Sequence, residues 1–264
     1  MMRSLASFQK RTFRRQRKRW RNFLLGTTAV IFVGFIVFLL FFSDIFVIKN
    51  IKISESRFVD TVQLSNSIVQ FLSHSKILGL LNIRNNLLFL NRNSLRNLIF
   101  QYSAIGDFDI SKNFKNREVS VFLKERLING ILCQENPVIT CYYFDTDGTV
   151  FATAPQSEGN LIFLIKDSSG RLYSLGDKIL ASELFNELLK IKNLVAERFK
   201  LDFIRIGKDD LEFKIVNGSF IYLNPSDLFR SFLAIQNLLN SDFNFKNLEY
   251  LDLRYLPNIY YKYH

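Results

Sequence analysis

The run "FLLGTTAVIFVGFIVFLLFF", residues 23–42, holds twenty residues without a charge or a proline. At about 1.5 Å per residue, a helix of that length reaches roughly 30 Å, the hydrocarbon thickness of a bilayer. The sequence therefore predicts a membrane-spanning helix over residues 23–43. A buried soluble helix is the competing reading, and the length of the run disfavours it. Cleavable signal segments have shorter apolar stretches that end in small residues. This run leads into "SDIFVIK" instead, so an uncleaved anchor is expected.

Charge sets the expected orientation. Residues 1–22 carry nine Lys or Arg and no acid, which marks them as a basic cytoplasmic tail with the remainder of the chain outside. Trp20 stands where an interfacial aromatic is expected. The net charge of +11 alone suggests a nucleic-acid binder, but beyond residue 43 the chain holds 26 basic residues against all 24 acidic ones. The excess is a local tail, and anionic lipid is its nearer partner than nucleic acid.

Residues 45–128 alternate between two periodicities. "VIKNIKIS" alternates as a strand, and "DTVQLSNSIVQFLSH" repeats at helical spacing with Asp60 as N-cap. "NRNSLRNLIFQY" predicts a second helix begun by Asn93 or Ser94, with Leu95, Leu98 and Ile99 inward. "AIGDFDISKNF" and "REVSVFLKERL" predict two more strands. Beyond residue 129, hairpins dominate. "FIRIGKDDLEFKIVNGSFIYL" reads as three strands, its Asn-Gly being a strong hairpin signal. "LASELFNELLKIKNLVAERF" and "PSDLFRSFLAIQNLLN" read as helices, the second capped by Ser226, and "LEYLDLRYLPNIYYKY" as an edge-like strand or strand pair.

Two local features invite chemistry. Cys133 and Cys141 flank "QENPVIT", whose Asn-Pro is a turn signal, so two strands leaving that loop bring the pair within bridging reach. A disulfide is expected if the compartment is non-reducing, and two free thiols are the alternative. A zinc site is disfavoured, because two cysteines without a nearby histidine supply half the ligands. "YYFDTDGTVF" contains Asp145, Asp147, Gly148 and Thr149, and it resembles the first motif of haloacid-dehalogenase-type phosphatases. That motif should lead toward a helix in an alternating strand–helix fold. Here a further strand follows at once, so the run reads as a hairpin corner.

Taken together, "VSVFLKERLINGIL" with its Glu125-Arg126 pair, "YYFDTDGTVF", "VNGSFIYLNPSDLFRSFLAIQNLL" and "LEYLDLRY" resemble the FtsQ/DivIB family of bacterial division proteins. The resemblance implies an α+β chain: an N-terminal transmembrane helix, a POTRA-type domain (strand–helix–helix–strand–strand) over 45–128, and a β-rich domain with antiparallel hairpins and two helices over 129–264. It further implies a non-enzymatic septal scaffold without cofactor or metal, whose partners are FtsB/DivIC-like and FtsL-like proteins. The family's contact lies at the last strands, where the partner adds a strand. Asp252, Leu253, Arg254 and Tyr255 match the family motif, and Tyr260, Tyr261 and Tyr263 supply interface-type aromatics. Alternate tyrosines that only pack on the core are the competing reading.

Two other classes compete. An anchored enzyme would need catalytic groups, yet the histidines are only His74 and His264, and the sequence has no His-Glu-x-x-His, Gly-x-Ser-x-Gly or phosphate-binding loop. A POTRA-bearing sensor or secretion component would need a cytoplasmic signalling domain or several POTRA repeats, and neither is read in the sequence.

Overall fold

A computed structural model describes residues 20, 24–39, 44–73, 85–157, 162–245 and 247–264. The basic run 1–19 and His74 lie outside the described residues. Helix α1 covers residues 24–39, about 24 Å at the α-helical rise against the roughly 30 Å of a bilayer core. Among the described residues no helix is long and apolar enough to cross a membrane. The transmembrane helix expected over 23–43 is corrected accordingly: the described helix stops short of a span.

The chain divides into two units. The first takes in Met1–Glu55, Asp60–Ile99 and Phe108–Leu123, and the second Ser56–Val59, Phe100–Asp107 and Lys124–His264. The small sheet consists of β1 (Asn50–Ile53), β2 (Ile105–Asn113) and β3 (Glu118–Glu125) in the order β1-β3-β2. Strand β1 runs parallel to β3, with Asn50 opposite Glu118 and Ile53 opposite Val121. Between β1 and β2 come α2 (Thr61–Ser73) and α3 (Arg92–Ile99).

Helical spacing explains what α2 buries. Leu64, Ile68 and Leu72 fall on one stripe and are buried, whereas Val62 points to solvent. Asp60 caps the helix, its Oδ1 accepting from the backbone N–H of Val62 at 2.9 Å and of Gln63 at 3.1 Å. Helix α3 starts earlier than the sequence suggests. Asn91, rather than Asn93 or Ser94, is the cap, its side-chain oxygen accepting from the Ser94 N–H at 2.9 Å.

The second unit is built on one nine-stranded sheet. Its strands are β4 (Gly130–Gln134), β5 (Thr140–Phe144), β6 (Val150–Ala154), β7 (Leu164–Asp167), β8 (Leu201–Ile206), β9 (Leu211–Ile215), β10 (Phe220–Leu223), β11 (Leu248–Asp252) and β12 (Tyr260–Tyr263). They lie in the order β12-β11-β10-β9-β8-β7-β4-β5-β6. The expected hairpins are antiparallel, as at β4/β5, β5/β6, β8/β9 and β9/β10, and three junctions are parallel: β4/β7, β7/β8 and β10/β11. Two of these follow from the helices. Helix α4 (Ser182–Ala196) connects β7 to β8 and α5 (Leu228–Leu239) connects β10 to β11, and a helical crossover returns the chain in the same direction. The turn before α5 is a 3-10 helix whose N-cap is Asn224 rather than Ser226: the Asn224 side chain accepts from the Ser226 N–H.

Alternation places Ile204, Phe213, Ile221 and Leu251 in one core with Phe185, Leu188 and Ile191 of α4 and Ile235 of α5. Cys133 and Cys141 face each other in the β4/β5 register and form a disulfide. They belong to a smaller apolar cluster with Ile131 and Leu164.

Candidate partner-binding edge

A sheet has two edges, and this one treats them differently. At the β6 edge, the Val150 N–H donates to Asp177 O at 2.8 Å and the Val150 carbonyl accepts from the Gly176 N–H at 2.7 Å. Thr149 also bridges to Lys178, and Pro155 follows the strand. Covering backbone and an adjacent proline are standard ways to blunt an edge. At the other edge, β12 pairs antiparallel with β11 and has no strand beyond it among the described residues.

The direction of the free groups on β12 follows from the ladder. The His264 N–H donates to Asn247 O at 2.9 Å. Backbone direction alternates along a strand, so Lys262 and Tyr260 also turn toward β11. The N–H groups of Tyr261 and Tyr263 then point away from the sheet. All four β12 residues are exposed.

The residues expected at a docking edge separate into two groups. Leu253 is buried and packs in the main core. Asp252 is buried as well, and its carboxylate holds Arg254 in a two-pronged pair: Nε to Oδ1 at 2.9 Å and Nη2 to Oδ2 at 2.6 Å. Burial acts to raise the Asp252 pKa, but the bonds and charge of Arg254 outweigh it and hold the carboxyl below its ordinary value. The same pair makes the Arg254 guanidinium harder to deprotonate. Asp252 and Leu253 therefore fix the strand end from inside, and Arg254 and the tyrosines are the members of the set that reach solvent.

Arg254 organises the outer face. Its guanidinium lies 5.0 Å from the Tyr222 ring and 5.6 Å from the Tyr255 ring, and 3.6 Å from Asp210. Tyr255 meets Tyr260 edge-on at 6.3 Å. With Tyr222 and Tyr250 these residues line a shallow groove of about 610 Å³ beside β12. No sequence motif singles out Tyr222 or Tyr250. Their only signal was alternation, which puts Tyr222 opposite the buried face of β10. Tyr261 and Tyr263 take the other face, where Tyr261 packs edge-on against Phe243 at 5.2 Å.

The Asp-Thr-Asp-Gly-Thr run sits at the β5–β6 corner. Asp145 is buried, and its Oδ1 accepts from the N–H groups of Asp147 at 3.0 Å and Thr149 at 2.8 Å. Its Oδ2 pairs with Arg126, whose Nε donates to Ser103 O. Gly148 adopts a left-handed φ of +72°, and a Cβ there would come within 2.9 Å of the Phe185 ring. The Asp145 carboxylate is thus occupied in holding a turn. The Glu125-Arg126 pair divides its labour. Arg126 holds Asp145, and the Glu125 Oε1 accepts from Ser56 Oγ (2.5 Å) and from the N–H groups of Arg57 (2.7 Å) and Phe58 (3.1 Å). Phe58 in turn packs against Tyr143 and Phe151. Among the described residues no His, Cys, Asp and Glu group is arranged to hold a metal ion.

Compared with protein-family models and with curated proteins, the chain finds no match to either.

Proposed function

We propose that this chain is a non-enzymatic scaffold of the bacterial division machinery, of the FtsQ/DivIB kind. It recruits and regulates septal cell-wall synthesis by binding FtsB/DivIC-like and FtsL-like proteins. It does so outside the cytoplasm at the division septum, where a non-reducing compartment suits the Cys133–Cys141 bridge. The first unit, with its strand–helix–helix–strand–strand order, fills the place of a POTRA-type domain.

The observation that carries this reading is the contrast between a β6 edge covered at Val150 and closed by Pro155 and an open, tyrosine-bearing β12 edge. A strand laid along β12 satisfies the outward N–H and C=O groups, and side chains flanking it supply specificity. The test is a pull-down of the host's DivIC-like and FtsL-like proteins, comparing the intact chain with one cut after Ile259, which keeps buried Leu253 and removes β12. The cut is expected to abolish capture while the upstream unit keeps its melting transition. Undiminished capture by the shortened chain refutes the interface.

A further inference from the structure

Beside β12 lies a second groove, of about 660 Å³, on the helical face of the second unit. Its walls are Leu233, Ala234 and Leu238 of α5 and, opposite them, Leu256, Pro257 and Ile259. Arg230 stands at its rim with 71% of its side chain exposed, its nearest acid being Asp227 at 3.5 Å. Leu233 and, one turn earlier, Phe229 are exposed, where a surface helix normally shows polar residues.

We propose that this groove receives apolar side chains of the same partner chain that adds a strand to β12, with a carboxylate of that chain facing Arg230. The inference rests on β12 being the docking edge, and size carries it further. Strand β12 has four residues, about 13 Å of edge, whereas a specific interface buries roughly 800 Å² on each partner. A four-residue ladder falls well short of that area, so the partner's flanking residues need more surface. The groove is an aliphatic surface continuous with the edge on the helical side, since Ile259 in its wall directly precedes Tyr260. A strand antiparallel to β12 leaves it past Tyr260 and crosses the 256–259 segment at the groove mouth. Arg230, the cation among the lining residues, stays exposed despite Asp227 and favours an acidic neighbour over a basic one.

The test measures the dissociation constant of the full chain for the host's DivIC-like protein, using Leu233→Glu, Arg230→Glu and Tyr261→Pro. Leu233→Glu is expected to weaken binding about tenfold or more, as for a central apolar contact. Arg230→Glu is expected to weaken it by about threefold to tenfold, more at low salt. Where Leu233→Glu lowers the melting temperature, Leu233→Asn replaces it. Unchanged binding by the Leu233 and Arg230 variants, with loss in Tyr261→Pro, overturns the groove and leaves the edge standing. Unchanged binding in Tyr261→Pro overturns the edge, and the groove with it. A change confined to self-association or to lipid-vesicle binding assigns the groove to another occupant and also overturns the proposal.

Discussion

Removing the Asp145 carboxylate separates a structural corner from a catalytic one. In Asp145→Ala, the N–H of buried Thr149 loses its acceptor, at a cost of about 1–3 kcal/mol. The Asp147 N–H and the Arg126 guanidinium lose theirs too. Arg126 is 27% exposed, so water recovers part of that loss, and the two together add about 1 kcal/mol. The expected total is about 3 kcal/mol. Asp145→Asn keeps Oδ1 for both N–H groups but sets an NH2 donor where Oδ2 accepts from Arg126, which predicts about 1–2 kcal/mol. Urea unfolding of both variants measures this, as a shift in midpoint at unchanged slope. An Asp145→Ala loss below about 0.5 kcal/mol, the scatter of ordinary surface changes, refutes the corner. So does a phosphate-ester hydrolysis that the purified chain performs and Asp145→Asn abolishes.

Two further outcomes follow from the same geometry. Burial acts to raise the Glu125 pKa, but hydrogen bonds from Ser56, Phe58 and Arg57 and the Arg57 charge bring it below the ordinary 4.5. A carboxyl lowered on folding stabilises above its unfolded pKa and loses that stabilisation as pH falls through its folded value. Glu125→Gln should therefore flatten the acid limb of the melting temperature between about pH 5 and 3, and an unchanged limb contradicts the Glu125 clamp. Cys133 and Cys141 are eight residues apart, and opening so short a loop by Cys133→Ser with Cys141→Ser should cost about 2–3 kcal/mol. A melting temperature indifferent to the double change contradicts that contribution.

Period and turn chemistry made much of the second unit legible. Asn-Gly marks the β9–β10 turn because Gly218 takes a φ of +104° there, and the stripe through Leu188, Ile191 and Val195 marks α4. Strand order was not legible, because β7 beside β4 pairs residues 33 apart, such as Ile131 and Leu164, and no local pattern encodes that. Helix starts slipped by a few residues, since Asn91 and Asn224 compete with nearby Asn and Ser residues that cap equally well in isolation. The apolar run 23–42 predicted a span, whereas the described helix covers only residues 24–39. At the edge, the Asp-Leu-Arg-Tyr stretch was legible as a motif but not as a division of labour. Which of its side chains turn inward depends on the β11 register, and there Asp252 and Leu253 are buried.

The central claim concerns backbone groups, so one pair of variants at one position tests it most directly. Tyr261→Ala and Tyr261→Pro both remove the ring that meets Phe243, but only proline removes the outward N–H, and an edge strand tolerates it. Capture of the DivIC-like partner is predicted to survive Tyr261→Ala in large part and to fall at least tenfold further in Tyr261→Pro, with equal melting temperatures. Equal capture by the two variants would contradict strand addition at β12.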